Sequence, residues 1–198
     1  MITLYHAAQS RSGGVAWLLE ELKVPYETKI VTIRRGDGSG VRDEGNPHPH
    51  GKVPVIKDGA DLIFETSAIA LYLTDKHPEA KLGPLPGQPK RGQYVSWLAY
   101  RSGVLEPAML CKRFGVTHVY GAMGWAPAQE VEQVLNAHLA QQPYFLGEEF
   151  SAADIVVGGG VNFLIMAKML GETPVLKAYC ARITDRPAFK AMMAKDVR

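Results

Sequence analysis

Alternation of apolar and polar residues with period two is confined to the first third of this chain, and that asymmetry limits the folds open to it. Ile2 to His6 alternates as a short strand, and Tyr26 to Ile33, rich in β-branched residues, reads as a second. Between them Val15, Leu18, Leu19 and Leu22 fall at i, i+3, i+4 and i+7, one apolar face of a helix that Lys23 and Pro25 close. A strand, a helix and a strand within about 30 residues form a βαβ unit, whose crossover makes the two strands parallel. Val53 to Lys57 is a further strand, Asp58-Gly59 a tight turn, and Asp61 to Phe64 the returning strand. Ile69, Tyr72 and Leu73 share one side of a short helix that ends near His77-Pro78.

Beyond Lys90 strand signals vanish. Gln93 to Phe114 is helical in pattern, with a kink expected at Glu106-Pro107 because proline lacks the N–H a helix interior needs. Pro127 suits the first turn of a helix running to about Gln142, Ser151 opens one reaching Leu170, and Pro174 and Pro187 each start a short terminal helix. The stretch 79–90 carries Pro84, Pro86 and Pro89 with Gly83 and Gly87 and reads as a linker. The expected architecture is therefore α/β plus all-α. A βαβ-ββα domain occupies residues 1–80, a linker 81–89, and an all-helical domain 90–198.

Composition narrows the function classes. Lys and Arg number 22 against 20 Asp and Glu, a formal charge of +2, so there is no electrostatic case for nucleic acid. Two cysteines, Cys111 and Cys180, are too few for a disulfide framework and suit a reducing compartment. The N-terminus lacks the basic and apolar regions of a signal peptide. The longest apolar run, Ile155 to Ala167, is short of the roughly 20 residues a bilayer requires. A soluble cytoplasmic protein with no membrane partner is expected.

Three motifs carry chemistry. In Gly51-Lys52-Val53-Pro54-Val55, a cis Val53-Pro54 bond would turn the N–H and C=O of Val53 outward to pair with an extended peptide; an ordinary trans proline on an edge strand is the alternative, cis forms being about 5–6% of such bonds. In Phe64-Glu65-Thr66-Ser67-Ala68-Ile69, the N–H groups of Thr66 and Ser67 at a helix start and the Thr66 hydroxyl make an anion site beside the Glu65 carboxylate. Together these would recognise an α-amino acid zwitterion; simple helix capping by Glu65 or Thr66 competes. In Gln9-Ser10-Arg11-Ser12, at the carboxyl end of the first strand, a hydroxyl near helix N–H groups would stabilise a thiolate and lower its pKa. Ser10 and Ser12 compete for that role, Arg11 adds positive charge, and Ser12 is favoured as a helix N-cap.

These motifs together resemble the glutathione transferase superfamily. Leu4-Tyr5-His6, Ser10-Arg11-Ser12 and Leu18 to Glu27 are similar to its first strand and helix; Asn46-Pro47, Gly51 to Val55 and Glu65 to Leu73 resemble its glutathione-binding segments; Tyr144 to Ile155 resembles a folding signature of its second domain. The resemblance runs nearly end to end and is nearest to bacterial serine-type or fungal-like branches. It implies a thioredoxin-like domain followed by a helical one, a homodimer, and a detoxifying enzyme joining glutathione thiolate to small electrophilic, largely apolar substrates. In the implied site Ser10 donates to the thiolate, Glu65 and Thr66 hold the γ-glutamyl end, the backbone of Val53 ahead of Pro54 holds the cysteinyl part, Lys52 with His50 holds the glycyl end, and Tyr100 lines the second-substrate pocket. A glutathione-dependent peroxidase or disulfide reductase, using glutathione's own thiol, and a non-catalytic ligand-binding module are the alternatives. Thr66 stands where serine is more usual, and the loop from Arg34 to Gly45 is short and Gly-rich where the family often has a helix.

Other features read as structural. Gly158-Gly159-Gly160 lies inside an apolar helix and points to close packing, and Ser151 with Asp154 forms a variant capping box. His48 and His50 lack the further ligands a metal site needs, so no metal is expected. Trp97, Tyr100, Arg101 and Val104 are placed on one face of the first long helix.

Overall fold

A computed structural model describes residues 1–196 of the chain. It divides into two compact units, one made of Met1–Ala80 together with the chain from Arg186 onward, the other of Lys81–Asp185.

The first unit is built on a four-stranded sheet. Strands β1 (Ile2–His6), β2 (Tyr26–Ile30), β3 (Val55–Asp58) and β4 (Asp61–Phe64) lie in the order β2-β1-β3-β4. β1 and β2 are parallel, joined by helix α1 (Ser12–Leu22), whereas β3 runs antiparallel to both β1 and β4. The crossover helix buries Val15, Trp17, Leu18, Leu19 and Leu22, the stripe its spacing requires. Helix α2 (Thr66–Lys76) follows β4 and buries Ile69, Ala70 and Leu73. With Ile2, Leu4, Val55 and Ile56 these side chains form the core. The long loop after Ile33 has turns but no helix, in line with its glycine content.

The second unit contains no strand among the described residues beyond an isolated bridge between Tyr144 and Gly147. Its helices are α3 (Arg91–Tyr100), α4 (Glu106–Phe114), α5 (Ala128–Gln141), α6 (Gly159–Met166) and α7 (Pro174–Thr184). Pro127 immediately precedes α5, and Pro174 opens α7. The kink expected at Glu106-Pro107 is instead a π-helical turn over Arg101–Leu105. Pro107 cannot donate a backbone hydrogen bond and its ring crowds the carbonyl four residues back, so the helix widens one turn upstream. That turn also breaks the expected face: Arg101 is buried, donating from Nε to Glu106 (2.9 Å) and from Nη1 to the Val156 carbonyl (2.9 Å), and is a packing residue. The helix expected to reach Leu170 does open after Ser151, passes through a π turn at Asp154–Gly158, and ends at Met166.

The structure also differs from the sequence expectation at the carboxyl end. Helix α8 (Pro187–Lys195) belongs to the first unit, where it packs along α1. The ring of Phe189 meets Trp17 edge-on at 5.0 Å, and Arg186 forms a two-pronged ion pair with Glu21 (2.6 and 2.8 Å). Such a forked guanidinium–carboxylate pair fixes orientation as well as proximity.

Within the second unit Asp154 is buried beneath four donors. The Phe145 N–H and Tyr179 hydroxyl reach Oδ1, and the N–H and hydroxyl of Ser151 reach Oδ2, all at 2.9–3.0 Å. This is the capping box expected from Ser151 and Asp154, extended by two more partners. Gly158 packs against the same tyrosine, and a Cβ there would stand 2.2 Å from its hydroxyl.

Among the described residues no helix is long and apolar enough to cross a membrane, and no three His, Cys, Asp or Glu side chains cluster as a metal site.

Candidate functional site

Strand register gathers the three motifs at one end of the sheet. Tyr5 of β1 pairs with Val55 of β3, which pairs with Phe64 of β4. The loop after β1, the Val53-Pro54 segment before β3 and Glu65 after β4 therefore leave the sheet at the same end. Ala7 and Val53 share a small apolar cluster with Val31, which ties the first two segments together.

The Val53-Pro54 peptide bond is cis. Neither backbone polar group of Val53 is hydrogen-bonded to another described residue. Glu65 precedes α2 at φ 69° and ψ 122°, a conformation that side-chain-bearing residues adopt at a cost. Its carboxylate does not cap the helix, so the capping alternative does not describe it. Neither the Glu65 carboxylate nor the Thr66 hydroxyl is hydrogen-bonded within the described residues. A strained backbone that presents an unspent carboxylate and hydroxyl at a helix start has the polar capacity for an amino acid's ammonium and carboxylate.

Ser10 and Ser12 separate clearly. Ser12 is the first residue of α1 and fully buried; its hydroxyl lies 2.9 Å from His6 Nδ1 and accepts from the Ala7 N–H (3.2 Å). It is not the N-cap that sequence favoured. The oxygen taking a helix-start N–H is that of Ser10, which accepts from Ser12 N–H at 3.2 Å. Ser10 is half-buried, donates to the Ala7 carbonyl (2.6 Å) and lies 2.8 Å from the Ser12 hydroxyl. Arg11 is exposed beside them, and Arg35 steadies the loop by donating to the Ala8 carbonyl (2.8 Å).

The Asn46–Lys52 segment folds into a tight turn. Asn46 donates to the Lys52 carbonyl and accepts from His48 N–H, and His50 N–H donates to His48 Nδ1 (3.1 Å). Gly51 has φ 59° with the Arg42 side chain where a Cβ would stand, so only glycine fits. Lys52 and His50 are exposed, whereas His48 is buried against Phe64, with ring centroids 5.4 Å apart. Burial lowers the His48 pKa, opposed by the nearby Glu65 charge and reinforced by those of His50 and Lys52. Lys52, His48 and Glu65 are thus electrostatic neighbours. Tyr100 ends α3 in the second unit, half-buried and edge-on to Trp97 at 5.0 Å; burial raises its pKa.

Sequence reasoning missed His6, Asp196 and the packing role of His48. His6 Nε2 is 3.0 Å from Asp196 Oδ1, and the same oxygen accepts from Gln9 N–H at 3.0 Å. The alternating pattern places His6 on the buried side of β1, but no local signal in the sequence pairs it with the chain's far end.

The glutathione S-transferase N-terminal domain profile matches residues 4–81, and the C-terminal domain profile matches 122–182. The chain is 30% identical to a disulfide-bond oxidoreductase, YfcG, of Escherichia coli over 95% of its own length and 92% of that protein. It is 27% identical to glutathione S-transferase 3 of Schizosaccharomyces pombe, covering 98% and 88%. A sphingomonad glutathione S-transferase solved with glutathione superposes with a TM-score of 0.77 at 24% identity, covering 98% of both chains.

Proposed function

Because this chain belongs to the glutathione S-transferase family, we propose that it binds glutathione and joins its thiolate to small electrophilic, largely apolar acceptors in a reducing cytoplasm. The observation that carries this reading is the convergence, at one end of the sheet, of two unspent polar elements, the Val53 backbone and the Glu65 carboxylate with the Thr66 hydroxyl, beside the half-buried Ser10 hydroxyl, whose hydrogen rests on the Ala7 carbonyl. Glu65 takes the ammonium of the γ-glutamyl end, and Thr66 with the α2 N-terminus takes its carboxylate. The N–H and C=O of Val53, ahead of Pro54, pair with the cysteinyl backbone as an added strand would. Lys52 and His50 face the glycyl carboxylate, and Tyr100 contacts the apolar acceptor.

The co-substrate supplies a nucleophilic sulfur, and the protein's part is to keep it ionised and placed. Ser10 suits that part better than Ser12, whose hydroxyl is buried and already placed against His6. Replacing Ser10 by Ala is expected to lower kcat/KM for a generic electrophile by roughly ten- to a hundredfold, the worth of one hydrogen bond to a charged group. Absence of wild-type turnover above the uncatalysed rate would refute the conjugation reading, and loss on Ser12→Ala with none on Ser10→Ala would reassign the donor. Sedimentation velocity tests the accompanying proposal of a homodimer; a single monomer species at micromolar concentration counts against it.

Disulfide reduction is the second reading, favoured by the 30% identity to an oxidoreductase. Both cysteines lie in the second unit, so glutathione's own thiol would perform the exchange. Faster turnover of a mixed disulfide than of any electrophile selects this reading.

A further inference from the structure

One oxygen of Asp196, at the end of α8, accepts hydrogen bonds from both flanks of the loop that carries Ser10. His6 Nε2, in the last residue of β1, and the Gln9 N–H both lie 3.0 Å from Oδ1. Gln9 has φ 53°, a left-handed conformation that a non-glycine residue holds only when its surroundings impose it. Asp196 supplies such a restraint on the Gln9 N–H. On the other flank, a carboxylate at Nε2 keeps the His6 hydrogen on that nitrogen and leaves Nδ1 to accept. The Ser12 hydroxyl, 2.9 Å away, then donates to Nδ1, and its oxygen turns its lone pairs to the Ala7 N–H and to Ser10 Oγ at 2.8 Å. With the Ser12 hydrogen spent on His6, the Ser10 hydrogen, which rests on the Ala7 carbonyl (2.6 Å) and within reach of Ser12 Oγ, is the one that can turn to a thiolate, while the Ser10 oxygen is steadied by the Ser12 N–H.

We propose that Asp196 is a positioning residue for thiol activation, acting through His6 and Ser12 on the direction of the Ser10 hydroxyl and through Gln9 on the loop that holds it. The carboxyl-terminal helix thereby forms part of the machinery at the first unit's ligand end. Its own placement is secured on α1 by the Arg186–Glu21 pair and the Phe189–Trp17 contact. This inference rests on the reading of Ser10 as thiolate donor.

The test is a double-mutant cycle on the full chain. The thiol pKa of bound glutathione is followed by the ultraviolet absorbance of the thiolate, and the pH profile of kcat/KM is recorded alongside. Asp196→Ala is expected to raise the bound thiol pKa by about one unit and to lower kcat/KM roughly tenfold below that pKa, with little change in KM for glutathione. Asp196→Asn keeps an acceptor oxygen for both donors and should recover most of the loss. Combined with Ser10→Ala, Asp196→Ala should cost no more than Ser10→Ala alone, because residues acting through one another are not additive. Lys195→Ala, which removes the neighbouring ion pair with Glu20 and the contact with the Tyr26 ring, controls for loosening of α8 and should leave the pH profile in place. If Ser10→Ala shifts the profile while Asp196→Ala does not, or if the two losses add in full, the Asp196 inference is overturned and the Ser10 reading stands. If Ser10→Ala leaves the profile unchanged, the Ser10 reading itself falls.

Discussion

Replacing Asp154 should destabilise the second unit far more than an average substitution, by an amount the geometry sets. The carboxylate collects the Phe145 N–H, the Ser151 N–H, the Ser151 hydroxyl and the Tyr179 hydroxyl in a site closed to solvent. In Asp154→Ala the Ser151 hydroxyl can turn elsewhere, but two backbone N–H groups and the Tyr179 hydroxyl lose their acceptor. Each buried donor left unpaired costs about 1–3 kcal/mol, and partial entry of water into the small cavity offsets the upper range, so about 4 kcal/mol is expected. In Asp154→Asn an oxygen can remain at the Oδ1 position for Phe145 and Tyr179, while the amide NH2 confronts the Ser151 N–H; roughly half the loss, about 2 kcal/mol, should follow. Tyr179→Phe removes one donor together with its bond and should cost about 1 kcal/mol. Urea titration followed by tryptophan fluorescence measures all three, compared at matched m-values. A domain is typically stable by only about 5–15 kcal/mol, so the alanine variant should unfold at markedly lower denaturant. An Asp154→Ala loss below about 1 kcal/mol, or an Asn variant as damaged as Ala, would refute the argument that unpaired donors set the cost.

Gly158→Ala places a Cβ 2.2 Å from the Tyr179 hydroxyl; a loss of about 1–3 kcal/mol from overpacking is expected, reduced in a Tyr179→Phe background, and equal losses in both backgrounds would reject the clash. Glu65→Gly relieves the φ 69° backbone and should stabilise the first unit by about 1 kcal/mol while weakening retention on immobilised glutathione; thermal melts and affinity chromatography read the two effects, and a less stable variant would contradict the strain. Burial lowers the His48 pKa, so the unfolded chain takes up that proton first. The stability His48 contributes is complete above its ordinary value near about 6.5 and is lost as pH falls below it, so denaturation midpoints should fall with pH less steeply in His48→Gln; unchanged slopes would exclude His48. Burial pushes the Cys180 thiol up to about 11, so a thiol reagent at neutral pH should label the half-exposed Cys111 and reach Cys180 only on unfolding, which peptide mapping checks.

Much of the first unit was legible in the chain because its signals are local. The spacing of Val15, Leu18, Leu19 and Leu22 can bury one face only as a helix, and Asp58-Gly59 between two alternating runs makes a hairpin. In the second unit the Ser151–Asp154 capping box is legible for the same reason, whereas the side chains packed on Gly158, Tyr179 and Ile183, come from a different helix. The kink expected at Glu106-Pro107 is replaced by a π turn at Arg101–Leu105 because a proline acts on the carbonyl four residues before it. Ser12 read as an N-cap because its type and position fit one, yet its hydroxyl turns inward to a histidine that the strand delivers from six residues back.

Sequence alone therefore determined the order and kind of the elements and the motifs that the sheet gathers at one end, since these depend on periodicity and on residue types read a few positions apart. Tertiary structure decided which serine is buried and which is half-open, that Glu65 leaves the helix uncapped, and that α8 returns to the first unit. It also brought Asp196 to the Gln9 N–H from 187 residues away. A hydrogen bond between distant residues leaves no periodic trace in a chain; it exists only once packing of Phe189 on Trp17 and the Arg186–Glu21 pair has brought its two ends to within 3.0 Å.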